Sequence, residues 1–149
     1  MSSTVRRIFV EKKKGFDIEA QTLYRDLKYN LEIKGLEYVR IINRYDIEGI
    51  SEKEYMASRN TIFSEPPVDI IYDEVFSVND GEKAFAVEYL PGQYDQRADS
   101  AAQCIQIMTM GERPLCRTAK LIVIGGDVSE QEFSGIKNYC INPIEAREA

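Results

Sequence analysis

The chain has 149 residues, 44% hydrophobic and 30% charged, and a net charge of −6. It is sized for one ordinary domain or two very small ones sharing a core, and its apolar content argues against whole-chain disorder. The acidic excess runs through both halves, 12 Lys/Arg against 14 Asp/Glu over 1–75 and 7 against 11 over 76–149, so neither half has the basic surplus of a nucleic-acid binder.

The opening MSSTVRRIFVEKKK has no apolar leader core, so no secretion is expected; a strand candidate, Arg7 to Glu11, lies inside it, followed by a Lys12-Lys13-Lys14-Gly15 turn. Asp17 is placed to N-cap a helix whose apolar positions Ile18, Ala20, Leu23, Tyr24, Leu27 and Leu31 recur at steps of three and four. Asn30 to Gly35 ends it, and Val39 to Tyr45 reads as a strand. Ser51-Glu52-Lys53-Glu54 is a capping box for a helix running to about Ile62 or Phe63 with Tyr55 inward, and Pro66-Pro67 stop it. Val68 to Val75 reads as a strand, and Asn79-Asp80-Gly81 as a turn.

The signals then recur. Phe85 to Tyr89 is a strand, Asp95 a second N-cap, and Ala98, Ala101, Ala102, Ile105 and Met108 a helical stripe on which Cys104 is also expected inside. Ala119 to Ile124 is the most apolar strand, ended by Gly125-Gly126. Ser129-Glu130-Gln131-Glu132 is another capping box, its helix runs toward Tyr139, Asn142-Pro143 stop it, and Ile144-Glu145 begin a last strand.

A shift of 78 pairs Asp17 with Asp95, Ala20 with Ala98, Ser51 with Ser129, Glu54 with Glu132 and Tyr55 with Phe133; a shift of 77 pairs Val10 with Val87 and Glu11 with Glu88. Capping residues look alike everywhere, but two helices per half in the same order at near-constant offset point to an internal duplication. Repeats of about 5–76 and 83–149 then make one domain over 1–149. Its fold class is α+β: two β-α-β-α-β halves forming an internal pseudo-dimer, with antiparallel sheets covered by four helices.

Chemistry is sparse. Histidine is absent, which removes the commonest general base and metal ligand and every Ser-His-Asp or Cys-His arrangement. Cys104, Cys116 and Cys140 are odd in number and widely spaced, as free thiols in a reducing cytoplasm are. No phosphate loop is present, and the carboxylate pairs Glu52/Glu54 and Glu130/Glu132 are explained by capping. No catalytic, cofactor-binding or metal-binding residue is assigned. The densest polar run is Gln93, Tyr94, Asp95, Gln96, Arg97 and Asp99, a candidate interdomain contact or a salt-bridged first helical turn. Arg40, Arg44, Arg113 and Arg117 lie on or beside strands and suit an acidic partner surface, against the default of screened surface pairs.

The element order, with VRIINRYDIEGIS (Val39–Ser51) after the first helix and helices ending at SEPPVD or NPIE, resembles the small PurS family, accessory subunits of phosphoribosylformylglycinamidine synthase. FAVEYLPGQYDQRADSAAQCIQ (Phe85–Gln106), RTAKLIVIGGDVSEQEF (Arg117–Phe133) and INPIEAREA (Ile141–Ala149) are similar to the N-terminal PurS-like region of the large, fused, clostridial-type form of that synthase. Ala20 and Ala98 stand where PurS proteins commonly have glycine.

The resemblance implies a non-catalytic scaffold domain of a ligase of de novo purine biosynthesis. The parent would convert formylglycinamide ribonucleotide, ATP and glutamine to the amidine, ADP, phosphate and glutamate. The domain would bridge synthetase and glutaminase domains of the same polypeptide and support ammonia transfer. ATP and Mg belong to those later domains, and none of their motifs matches a position here. The isolated piece is expected to be inactive and cytoplasmic, with no nucleic-acid or membrane partner. It looks like an excised domain, and apolar surface left bare by missing partners is a route to a homodimer. The alternatives are a small-ligand-binding regulatory module with a duplicated α+β sensor fold and, last, a stand-alone enzyme using Asp, Glu and Lys.

Overall fold

The computed structural model of the chain describes residues 5–141 and 146–148. The elements are β1 (Val5–Lys12), α1 (Ile18–Arg25), β2 (Leu36–Glu48), α2 (Glu52–Arg59), β3 (Asp69–Asp73), β4 (Lys83–Tyr89), α3 (Gln96–Thr109), β5 (Leu115–Gly126), α4 (Glu130–Cys140) and β6 (Ala146–Glu148). The expected strand start at Ile144-Glu145 and the Asn142-Pro143 stop lie outside the described residues.

The strands form one six-stranded sheet in the order β3-β1-β2-β5-β4-β6, every neighbouring pair antiparallel. The fold is therefore α+β, with four α-helices among the described residues. Where separate sheets were expected, the long ladder of β2 on β5, from Leu36 opposite Gly126 to Glu48 opposite Leu115, makes the sheet continuous. That ladder also explains why both strands outrun their apolar cores of Val39–Tyr45 and Ala119–Ile124: cross-strand pairing carries polar residues that propensity alone would leave in loops. The outer edges are short, five residues in β3 and three in β6, which limits unpaired backbone.

Strand alternation gives the sheet two faces. One carries Ile8, Val10, Val39, Tyr45, Ile47, Phe85, Ile122 and Ile124 beneath the helices, in two separate clusters. In the first, Ala20 of α1, Leu27 and Ile136 of α4 cover Val39, Phe85, Ile122 and Ile124. In the second, Tyr55 of α2, with Ala101 and Ile105 of α3, covers Ile8, Val10, Tyr45 and Ile47. The helices therefore straddle the central strand pair. α1 lies chiefly on β2 of its own run and α3 on β5 of its own, and each cluster extends across to strands of the other run. Part of each burial is gained only when both runs are present.

Three burial expectations fail, Met108 being 40% exposed at the end of its stripe. Ile18 is 70% exposed, because two residues before Ala20 on a helix is nearly the opposite side. Cys104 is exposed, on the flank of the Ala98–Ala101–Ala102–Ile105 stripe. The single helix expected to Leu31 ends as α at Arg25 and passes into a π-helical turn, Asp26–Asn30, with Leu27 buried.

Candidate functional site

The capping residues show how local chemistry is placed. Ser51 and Ser129 each accept the amide of the third helical residue, Glu54 or Glu132, whose carboxylate reaches back to the serine amide. Asp95 caps α3 at 3.0 Å from the Ala98 amide, while its other oxygen accepts the Thr118 amide at 3.0 Å and hydroxyl at 2.7 Å. Asp17 stands at the N-cap position of α1, but its side chain accepts no helical backbone amide. Gly15, at φ +95°, brings its own N–H to that carboxylate, and the Gln21 amide group takes the same oxygen at 2.8 Å.

The six residues singled out at this junction separate by role. Asp95 ties the start of α3 to β5. Asp99 accepts the Tyr94 hydroxyl at 2.8 Å and pairs with Arg113, so it orders the turn. Gln93, Tyr94 and Gln96 are exposed, Tyr94 at 69%. Arg97 is half-buried and has no ion-pair or hydrogen-bond partner among the described residues. It lines a cleft of about 180 Å³ with Tyr89, Thr118, Lys120 and Cys140. Lys120 is held there by Glu19 of α1.

Burial pushes the Cys116 and Cys140 thiols up to about 11, so both stay protonated near neutrality and are poor nucleophiles. Among the described residues no group of three or more Cys, Asp or Glu is arranged to hold a metal ion, and no helix is long and apolar enough to cross a membrane.

The flagged arginines also divide. Arg40 grips Glu11 through Nη2 at 2.7 Å and reaches Glu82 at 3.3 Å. Arg44 has only Asp46, at 3.6 Å, and its Nε is buried without a hydrogen-bond acceptor. Arg117 is exposed and without a partner among the described residues.

Two polar centres gave no sign in the sequence. Tyr55 donates its hydroxyl to Asp73 at 2.6 Å, and Arg59 holds the same carboxylate through Nε at 2.8 Å and Nη2 at 2.6 Å. Glu82, its side chain 1% exposed, accepts the Tyr38 hydroxyl at 2.5 Å and the Asn79 amide at 2.7 Å. Burial alone would raise the Glu82 carboxyl, but Tyr38, the Asn79 amide and Arg40 outweigh it and hold it below the usual range. Tyr38 can lie there because Gly125 faces it across the ladder; a Cβ on Gly125 would come within 2.1 Å of the ring.

These groups hold surfaces together and present cations; the carboxylates with an assigned role are already occupied by caps or ion pairs. No protein-family model matches the sequence, and a search of curated proteins finds no match.

Proposed function

We propose that the chain is a non-catalytic scaffold domain of a phosphoribosylformylglycinamidine synthase, a PurS-like pseudo-dimer in one polypeptide that bridges synthetase and glutaminase domains. The observation that carries this reading is the symmetry of the sheet about β2 and β5. A shift of 77 carries Asn43 to Lys120, and Asn43 and Lys120 face each other in the ladder. The same offset relates the strand pairings: Val10 faces Asn43 and Ile71, and Val87 faces Lys120 and Glu148. The matched capping boxes at Ser51 and Ser129 stand at a shift of 78. These correspondences support the reading of the chain as a duplicated PurS-like unit.

The test mixes the chain with the synthetase–glutaminase remainder of a clostridial-type fused synthase and assays glutamine-dependent amidine formation. The chain alone should give no turnover, and its addition should restore activity to a remainder lacking its own N-terminal domain. Turnover by the chain alone, or no complex and no rescue, would overturn the reading.

The cleft lined by Arg97 favours a second reading, a small-ligand sensor. Calorimetry against nucleotides and amino acids separates the two: a tight, saturable ligand lost in Arg97→Ala supports the sensor.

A further inference from the structure

The sheet face away from the helices is finished differently on its two sides. On the side of β1 and β3 the connection 74–82 crosses it. Phe76 packs on Phe9 and Tyr72, with ring centroids 5.8 and 4.9 Å apart, and Arg40 lies 5.2 Å over the Phe76 ring. Glu82 pins the far end to Tyr38 and Arg40. Chemically this cover is an acidic strand of chain with one aromatic anchor: Asp73-Glu74-Val75-Phe76-Ser77-Val78-Asn79-Asp80-Gly81-Glu82.

The side of β4 and β5 has no such cover among the described residues. The positions reached from Phe9 and Ile42 by the shift of 77 are Ala86 and Ala119. On its floor Ala84 is exposed and Ala86 and Leu121 are half-exposed. At its rim Arg147 holds Glu88 at 2.9 Å, Arg7 holds Asp46 at 2.6 Å and Arg44 approaches Asp46 at 3.6 Å, which leaves Arg117 as the rim arginine without a partner among the described residues. Arg44, opposite Ala119 in the ladder, has the buried Nε that no acceptor satisfies, and Asp46 beside it is already taken by Arg7 at 2.6 Å. Arg117, reached from Arg40 by the same shift, points no bond at any described residue. Unmet cationic donors around a small apolar floor, in a chain of net charge −6, call for a ligand that is negative and carries one large flat group.

We infer that this bare side is a docking surface for an acidic polypeptide segment of a partner protein, which lays an aromatic side chain on Ala84, Ala86 and Leu121 and sets carboxylates against Arg44 and Arg117. The chain's own 73–82 segment, doing the same to Phe9 and Arg40, is the internal precedent. The inference goes beyond the scaffold reading, since it names a face and a partner chemistry that hold for any partner protein.

The probe is a synthetic peptide of residues 73–82, titrated into the full chain and followed by amide chemical shifts. Saturable shifts at Ala84, Ala86, Leu121 and Arg117 are expected, weakened at least fivefold by Arg117→Ala or by a peptide carrying Phe76→Ala. Ala86→Glu should abolish them, and Arg97→Ala, on the other face, should leave them unchanged. The Arg117 variant removes an exposed, unpartnered side chain and should keep its fold, which the unshifted amides of the helices report. Binding that ignores Arg117→Ala, shifts confined to the helical face, or no shift at millimolar peptide overturns the inference. So does a concentration-dependent dimer abolished by Ala86→Glu, which would make a second copy the occupant, or a single-stranded oligonucleotide displacing the peptide. No synthetase is present, so failure here is distinct from failure of the rescue assay.

Discussion

The two helical clusters occupy equivalent places under the sheet, yet they are held by different chemistry. Around α4 the cover is apolar: Phe133 meets Phe85 edge-on at 5.7 Å, and Lys137 sits 4.9 Å over the Phe133 ring. Around α2 the equivalent residue is Tyr55, 1% exposed, with Arg6 4.0 Å over its ring and its hydroxyl locked to Asp73 and Arg59. One added oxygen obliges the second cluster to supply a carboxylate and a guanidinium, because a buried hydroxyl without a partner is costly. The comparison teaches that two similarly placed cores tolerate different residues at a matching position when the next strand brings the missing partner.

The largest way to break the comparison is Tyr55→Ala. Loss of a fully buried ring should cost about 3–5 kcal/mol in a denaturant titration. Asp73→Ala leaves the hydroxyl and Arg59 unpaired and should cost about 2 kcal/mol, with no matching sensitivity anywhere around Phe133. Ser51→Ala and Ser129→Ala address what the clusters share: each should lose about 1 kcal/mol, additively in the double variant, since the caps sit on different helices. Phe133→Tyr should change stability by under about 0.5 kcal/mol, because its half-buried ring leaves the new hydroxyl access to water.

Acid sharpens the same contrast. Hydrogen bonds from Arg59, then Tyr55, hold the Asp73 carboxyl below its ordinary value of 3.8, outweighing burial. The folded state therefore binds that proton less readily than the unfolded one. The stabilisation is fully present above the ordinary aspartate range and is lost as pH falls through the lower folded value. Thermal melts of the parent should fall below about pH 4, and Asp73→Asn should flatten that part of the curve.

Much of the architecture was legible because caps and periodicity are local. Ser51 and Ser129 needed only their own four residues. Asp17 and Asp95 show the limit. Their sequence context is alike, but Asp95 is steadied by Thr118 from a distant strand while Asp17 is captured by Gly15 and Gln21. The strap on Phe9 and the Tyr55–Asp73–Arg59 set were illegible for the same reason: their partners are joined by folding, not by spacing. Ile18 stands a helical step of two from Ala20, which an apolar count alone does not separate from the stripe. The sharing of each core between strands of both runs had no signature in the residues, since an apolar stripe does not say whose strands it will cover.

That sharing of cores bears on how the fold assembles. Glu19 meets Lys120 and Asp26 lies 3.5 Å from the Tyr139 hydroxyl, contacts spanning 101 and 113 positions of chain. During synthesis α1 can meet β2 early, but Phe85, Ile122, Ile124 and Ile136 complete the first cluster only after the later strands and α4 emerge. Closing contacts of this sequence separation slows the conformational search.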